Sequence, residues 1–128
     1  MFIRFVSSEN DEDSHVSAGL FCAAFNLRYS LDLPQYELDA LIELRDWFNV
    51  HLESPFAYLR RAKRYERAIS WFKPTASQHL ARAWELIAIL ERNDVLIWPI
   101  KSTRTGYVYY EDDYQVLAEP FADVRLQL

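Results

Sequence analysis

Val95–Ala118 reads V-L-I-W-P-I-K-S-T-R-T-G-Y-V-Y-Y-E-D-D-Y-Q-V-L-A, and this stretch decides the fold class. Three short runs rich in β-branched and aromatic residues, Val95 to Ile100, Tyr107 to Tyr110 and Tyr114 to Ala118, are separated by turn-forming groups: Thr103 to Gly106, then Glu111, Asp112 and Asp113. The spacing predicts a three-stranded antiparallel meander. Pro99 has no N–H for a ladder, so its strand belongs at a sheet edge or ends there.

Upstream the period changes from two to 3.6. Thr75 to Gln78 has the form of a capping box, and Ala76, Leu80, Ala83, Trp84, Ile87 and Leu90 then recur on one helical face until Asn93. Asp32 to Gln35 offers a second capping box, with Pro34 in the first turn. It opens a helix whose stripe of Leu38, Leu41, Ile42, Trp47 and Phe48 lies opposite Glu37, Asp39, Glu43 and Asp46, and which Ser54 and Pro55 end. From Ser17 as N-cap, a further helix runs to about Ser30. Phe2 to Val6 reads as a first strand, followed by a loop from Ser7 to Ser14. The order is strand, three to four helices, then meander, which gives an α+β fold with the helices packed on one face of the sheet. At 128 residues, 51% of them hydrophobic, a single compact domain over 1–128 is expected.

Charge is distributed unevenly. Arg60, Arg61, Lys63, Arg64, Arg67 and Lys73 stand against one acid, Glu66, so residues 60–73 carry +5; the rest of the chain, with eight bases and eighteen acids, carries −10. Read as a helix, this run puts Tyr58, Ala62, Tyr65, Ile69 and Phe72 on one face and Arg60, Arg64, Arg67 and Trp71 on the other. Guanidinium groups grip phosphate or carboxylate in forked geometry, and Trp71 beside them would stack on a planar ligand. The expected partner is therefore an acidic protein surface or a small anionic ligand, bound through Arg60, Arg61, Arg64, Arg67, Trp71 and Lys73. The competing reading is a solvated or internally paired helix face. A net charge of −5 opposes general affinity for nucleic acid.

Chemistry of other kinds finds little footing. With only Gly19 and Gly106, glycine-rich phosphate loops are excluded, and no serine lies in a Gly-x-Ser-x-Gly elbow. His15, His51 and His79 follow no metal-binding spacing, and one cysteine cannot build a Cys-rich zinc site, so neither metal nor cofactor is expected. The acids at 9–13 and 111–113 read as an acidic loop and a hairpin tip. Cys22, inside Leu20 to Phe25, reads as a small buried hydrophobe and fits a cytoplasmic location. Arg4 within the first strand opposes a secretory signal, and no apolar run is long enough to cross a membrane.

Two candidates remain. His79 falls in the first turn of its helix, where the helix end favours a neutral imidazole and a nearby anion, so it is the candidate acid or base. Tyr107, Tyr109, Tyr110 and Tyr114 crowd the last hairpin, with Tyr107 and Tyr109 on one side by period two; they are candidates for an interface, including one between two copies of the chain. The leading expectation is a small binding or regulatory module. The alternative is a small enzyme acting on a phosphorylated or nucleotide substrate, with the arginines on phosphate and His79 or the acids at 111–113 moving protons.

Overall fold

A computed structural model of the chain describes residues 1–10, 17–30, 32–54 and 68–121. The chain is α+β. Its elements are β1 (Phe2–Asn10), β2 (Ser17–Gly19), α1 (Leu20–Arg28), α2 (Gln35–His51), β3 (Ile69–Phe72), α3 (Ser77–Arg92), β4 (Ile97–Ser102), β5 (Tyr107–Glu111) and β6 (Gln115–Glu119). All strand pairings are antiparallel. No helix among the described residues is long and apolar enough to cross a membrane.

Register fixes the strand order. Ile3 of β1 faces Phe72 of β3 and also Lys101 of β4, so β3 and β4 flank β1 on opposite edges. Val6 faces both Gly19 and Trp98, which places β2 on the same side as β3. β3 then pairs with β6, and β6 with β5. The predicted three-strand meander is thus corrected to a β5–β6 hairpin, because β4 finds its partner in β1 nearly a hundred residues away. A pairing of such separation leaves no mark on local periodicity. β4 lies at an end of this order, where Pro99 costs no ladder bond on an inner strand.

The predicted helix through residue 72 is also corrected: Ile69–Phe72 is a strand, and Phe72 and Trp71 pair with Gln115 and Val116. The 58–67 part of that reading lies outside the described residues. Neither capping box forms. Pro34 and Ala76 occupy the N-cap positions without side-chain bonds, and Gln35 donates instead to Asp39 one turn on. Ser17, read as an N-cap, belongs to β2, and α1 starts after Gly19.

The helices share one face of the sheet. Leu20, Ala23 and Leu27 of α1, Leu41, Leu44 and Phe48 of α2, and Ala83, Leu86, Ile87 and Leu90 of α3 pack with Phe5, Phe72 and Ile97 into one apolar core. Phe72 sits within about 6.4 Å of the rings of Phe5, Phe21 and Phe48, at the separations aromatic pairs favour. Glu37, read as a solvent-facing acid, is buried; it accepts from Arg92 Nε at 3.0 Å and from Asn93 Nδ2, which ties the start of α2 to the end of α3. Cys22, read as buried, is exposed on α1.

Residues alternating with Phe72 and Ile3 face the other way, and they too are buried: Trp71, Val116 and Ala118, with Arg4 and Val6 of β1. The sheet that carries them is not flat. In a flat sheet, four strand spacings and five residues of offset would separate Ser102 from Tyr107 by over ~20 Å, whereas the five steps joining them reach only ~17 Å. The sheet therefore curls. Burial there pushes the Arg4 guanidinium down to about 10.

Candidate functional site

Three elements distant in sequence meet at one end of the sheet: the end of α2, the start of α3 and the β5–β6 turn. The α2 terminus is set by its own last turn. Leu52 is extended, its N–H returning to Phe48 O at 2.8 Å, and the helix stops. His51 Nδ1 lies 2.8 Å from Trp47 O; since a carbonyl only accepts, Nδ1 carries a proton and donates. The two rings stack, 4.3 Å apart and 15° from parallel.

α3 begins after a tight turn in which Ala76 N–H bonds Lys73 O at 3.0 Å. His79, the helix's third residue, is buried, and its Nε2–H donates to His51 O at 2.8 Å. One face of the imidazole stacks on Tyr114 at 4.2 Å, and the ring meets Trp47 edge-on at 5.0 Å. Tyr114, His79, Trp47 and His51 therefore form a continuous row of rings across all three elements.

The turn is built around Asp112. Its Oδ1 accepts from Tyr114 N–H and Gln115 N–H at 2.8 and 3.0 Å, and its Oδ2 from Tyr110 OH and Gln115 Nε2 at 3.0 and 3.1 Å. Burial alone would raise this carboxyl, but the hydrogen bonds from Tyr114, Gln115 and Tyr110 outweigh it and hold the group below the ordinary carboxylate value. Gln115 Nε2 also donates to Glu53 O at 2.8 Å, fastening the turn to the chain leaving α2. Asp113 is exposed and takes no part in this network.

Between these walls lies a cleft of about 750 Å³, lined by residues 49–54, 75–79, 110 and 112–114. Its lining holds three carboxylates, Glu53, Asp112 and Asp113, two histidines, two tyrosines and, among the described residues, no Lys or Arg. No group of three His, Cys, Asp or Glu among the described residues is arranged to hold a metal ion.

The predicted site residues divide. Arg60, Arg61, Arg64 and Arg67 lie outside the described residues. Trp71 is only 2% exposed, on the sheet face opposite the helices, so its ring is not offered to an outside ligand; strand alternation turned it away from Phe72 into a buried position. Lys73 is paired with Glu111 at 2.6 Å, an internal partner in the hairpin rather than in α2. His79 reaches the cleft wall, but with Nε2–H already committed to His51.

The tyrosines part company as well. A bulge leaves Tyr109 as the extra residue and sets Tyr110 opposite Leu117, so strict alternation through Tyr107, Tyr109 and Tyr110 fails. Tyr109 OH donates to Glu119, Tyr110 and Tyr114 join the cleft, and Tyr107, 62% exposed, packs its ring edge-on against Phe121. Sequence reasoning passed over Trp47, His51 and Gln115. The one available signal was the position of His51 in the last turn of a well-marked helix.

No protein-family model, characterised protein or solved structure matches this chain.

Proposed function

We propose that this chain is a small binding module whose ligand enters the cleft between the end of α2, the start of α3 and the β5–β6 turn. The cleft's size carries the reading: about 750 Å³ falls within the few hundred to roughly 1,000 Å³ typical of small-molecule sites. Its walls are also held in place before any ligand arrives, by His79 on His51, Gln115 on Glu53 and the four bonds to Asp112. Preorganisation of that kind lowers the cost of binding. Titrating ¹⁵N-labelled chain with a panel of small polar molecules tests this. Saturable amide shifts confined to residues 49–54, 75–79 and 110–114 support it; saturable shifts that map to another surface reject it.

A second reading rests on the charge contrast in the sequence. A stretch of +5 in an otherwise −10 chain favours an acidic protein surface or another anion, with Arg60, Arg61, Arg64 and Arg67 as contacts, and a cytoplasmic setting suits such a module. Capture of an acidic partner that survives Arg60→Glu, Arg64→Glu and Arg67→Glu together rejects it. The enzymatic alternative on a phosphorylated substrate has weaker support, since among the described residues the cleft holding His79 brings carboxylates, not cations, to a phosphate.

A further inference from the structure

We infer that the cleft takes an organic ammonium ion: an amine, a methylated amine or a cationic side chain of that class. The inference rests on the binding reading just given and adds the sign and kind of ligand. Among the described residues the lining carries three carboxylates, Glu53, Asp112 and Asp113, and no Lys or Arg. The helix ends do not alter this sign. α2 presents its carbonyl end to the cleft and α3 its N–H end, each worth about half a charge, so the two nearly cancel and the carboxylates decide.

The three acids act differently. Asp112 spends its oxygens on four donors and works through its field; Asp113 and Glu53 are exposed and available for direct contact. Tyr114 supplies an aromatic wall. One face of its ring rests on His79 while the residue remains 42% exposed at the cleft, which suits a cation lodged against an aromatic ring beside a carboxylate. A bare metal ion fits less well. Asp112 is already fully engaged, and no ready group of ligands is assembled among the described residues.

The test uses the full chain, ¹⁵N-labelled, titrated separately with 1,4-diaminobutane, tetramethylammonium, succinate and the uncharged 1,4-butanediol. The two ammonium probes are expected to shift the amides of residues 49–54 and 112–114 saturably, and succinate and butanediol to leave them in place. Asp113→Asn with Glu53→Gln should weaken the ammonium probes roughly three- to tenfold, from two partly exposed charge contacts. Wild-type binding should also weaken as salt rises from about 20 to about 200 mM. If succinate or butanediol fills the cleft and the ammonium probes do not, the charge argument fails while the binding module stands. If the ammonium probes bind with equal affinity after both substitutions, the carboxylates are not their contacts and the inference is overturned. Binding of all four probes only at other surfaces removes the inference and the binding reading together.

Discussion

His79 Nε2–H donates to the main-chain carbonyl of His51 at 2.8 Å, joining the first turn of α3 to the last residue of α2 across the floor of the cleft. The bond does two things at once. It satisfies one of the carbonyls a helix leaves open at its end, and it fixes the imidazole flat beneath Tyr114. His79 is therefore a positioning residue. His79→Phe keeps a ring of similar size but removes the donor, and should cost about 1–2 kcal/mol. His79→Ala also strips the contacts with Tyr114 and Trp47 and should cost about 2–4 kcal/mol. Urea unfolding midpoints check the order; two variants as stable as wild type would mean that the cleft floor does not depend on this ring.

Much of the helical layer could be read from residues alone, because burial of one face imposes its period on the sequence. Leu41 and Phe48 of α2, and Ala83, Ile87 and Leu90 of α3, are in the core where their spacing put them. Where two patterns fit the same residues, pairing decided. Ile69, Trp71 and Phe72 satisfy a helical stripe as well as a strand, and four ladder partners in β6 settle the matter. The capping boxes illustrate a different limit: Asp32 and Thr75 have the right chemistry, yet the chain enters both helices one or two residues later. For the cleft, His79 was visible by its place near a helix start. His51 was not, since its role is to offer its own main-chain carbonyl to a ring 28 residues away.

Acid should loosen the α2–α3 pair. Glu37 is held below its ordinary value first by the Asn93 hydrogen bond and then by that of Arg92, with burial opposing them. A carboxyl whose folded pKa is depressed stabilises the fold fully above its unfolded value, near 4.5, and that contribution is lost as pH falls through the lower folded value. Asp112 is depressed in the same sense from 3.8, so both losses accumulate below about pH 4.5. Glu37→Gln should flatten the acid limb of a plot of unfolding midpoint against pH. An unchanged acid limb in this variant would show that the carboxylate is not the titrating group.

Trp71 distinguishes a structural from a ligand-binding role for the basic segment's only tryptophan. The side chain is buried on the sheet face opposite the helices, and its indole N–H has no hydrogen-bond partner there. Trp71→Ala should cost roughly 3–5 kcal/mol, the usual range for emptying a core tryptophan site. The fluorescence of Trp71, isolated by replacing Trp47, Trp84 and Trp98 with Phe, should be blue-shifted and poorly quenched by iodide. Strong iodide quenching would place the ring at the surface and restore it as a stacking partner.

Gly106 fixes where β5 can start, at the end of the hairpin opposite the cleft. Its φ is +118°, a backbone conformation that L side chains rarely adopt. A Cβ built there would lie 1.9 Å from the carbonyl oxygen of Glu119 and 2.9 Å from Cα of Pro120, both main-chain atoms that cannot swing aside. Gly106→Ala therefore combines conformational strain of about 1–3 kcal/mol with a clash that only separation of β5 from β6 can relieve. Tyr107 and Phe121, ring to ring at 4.8 Å on this end, would part first, while the Asp112 turn lies a strand's length away with its own four bonds. The expected outcome is a fall of more than 2 kcal/mol in unfolding free energy, with amide exchange accelerated at Tyr107 and Glu119 before Tyr114 and Gln115. Equal acceleration at both ends would mean that the hairpin opens as one unit and that the Asp112 network gives the cleft no independent support.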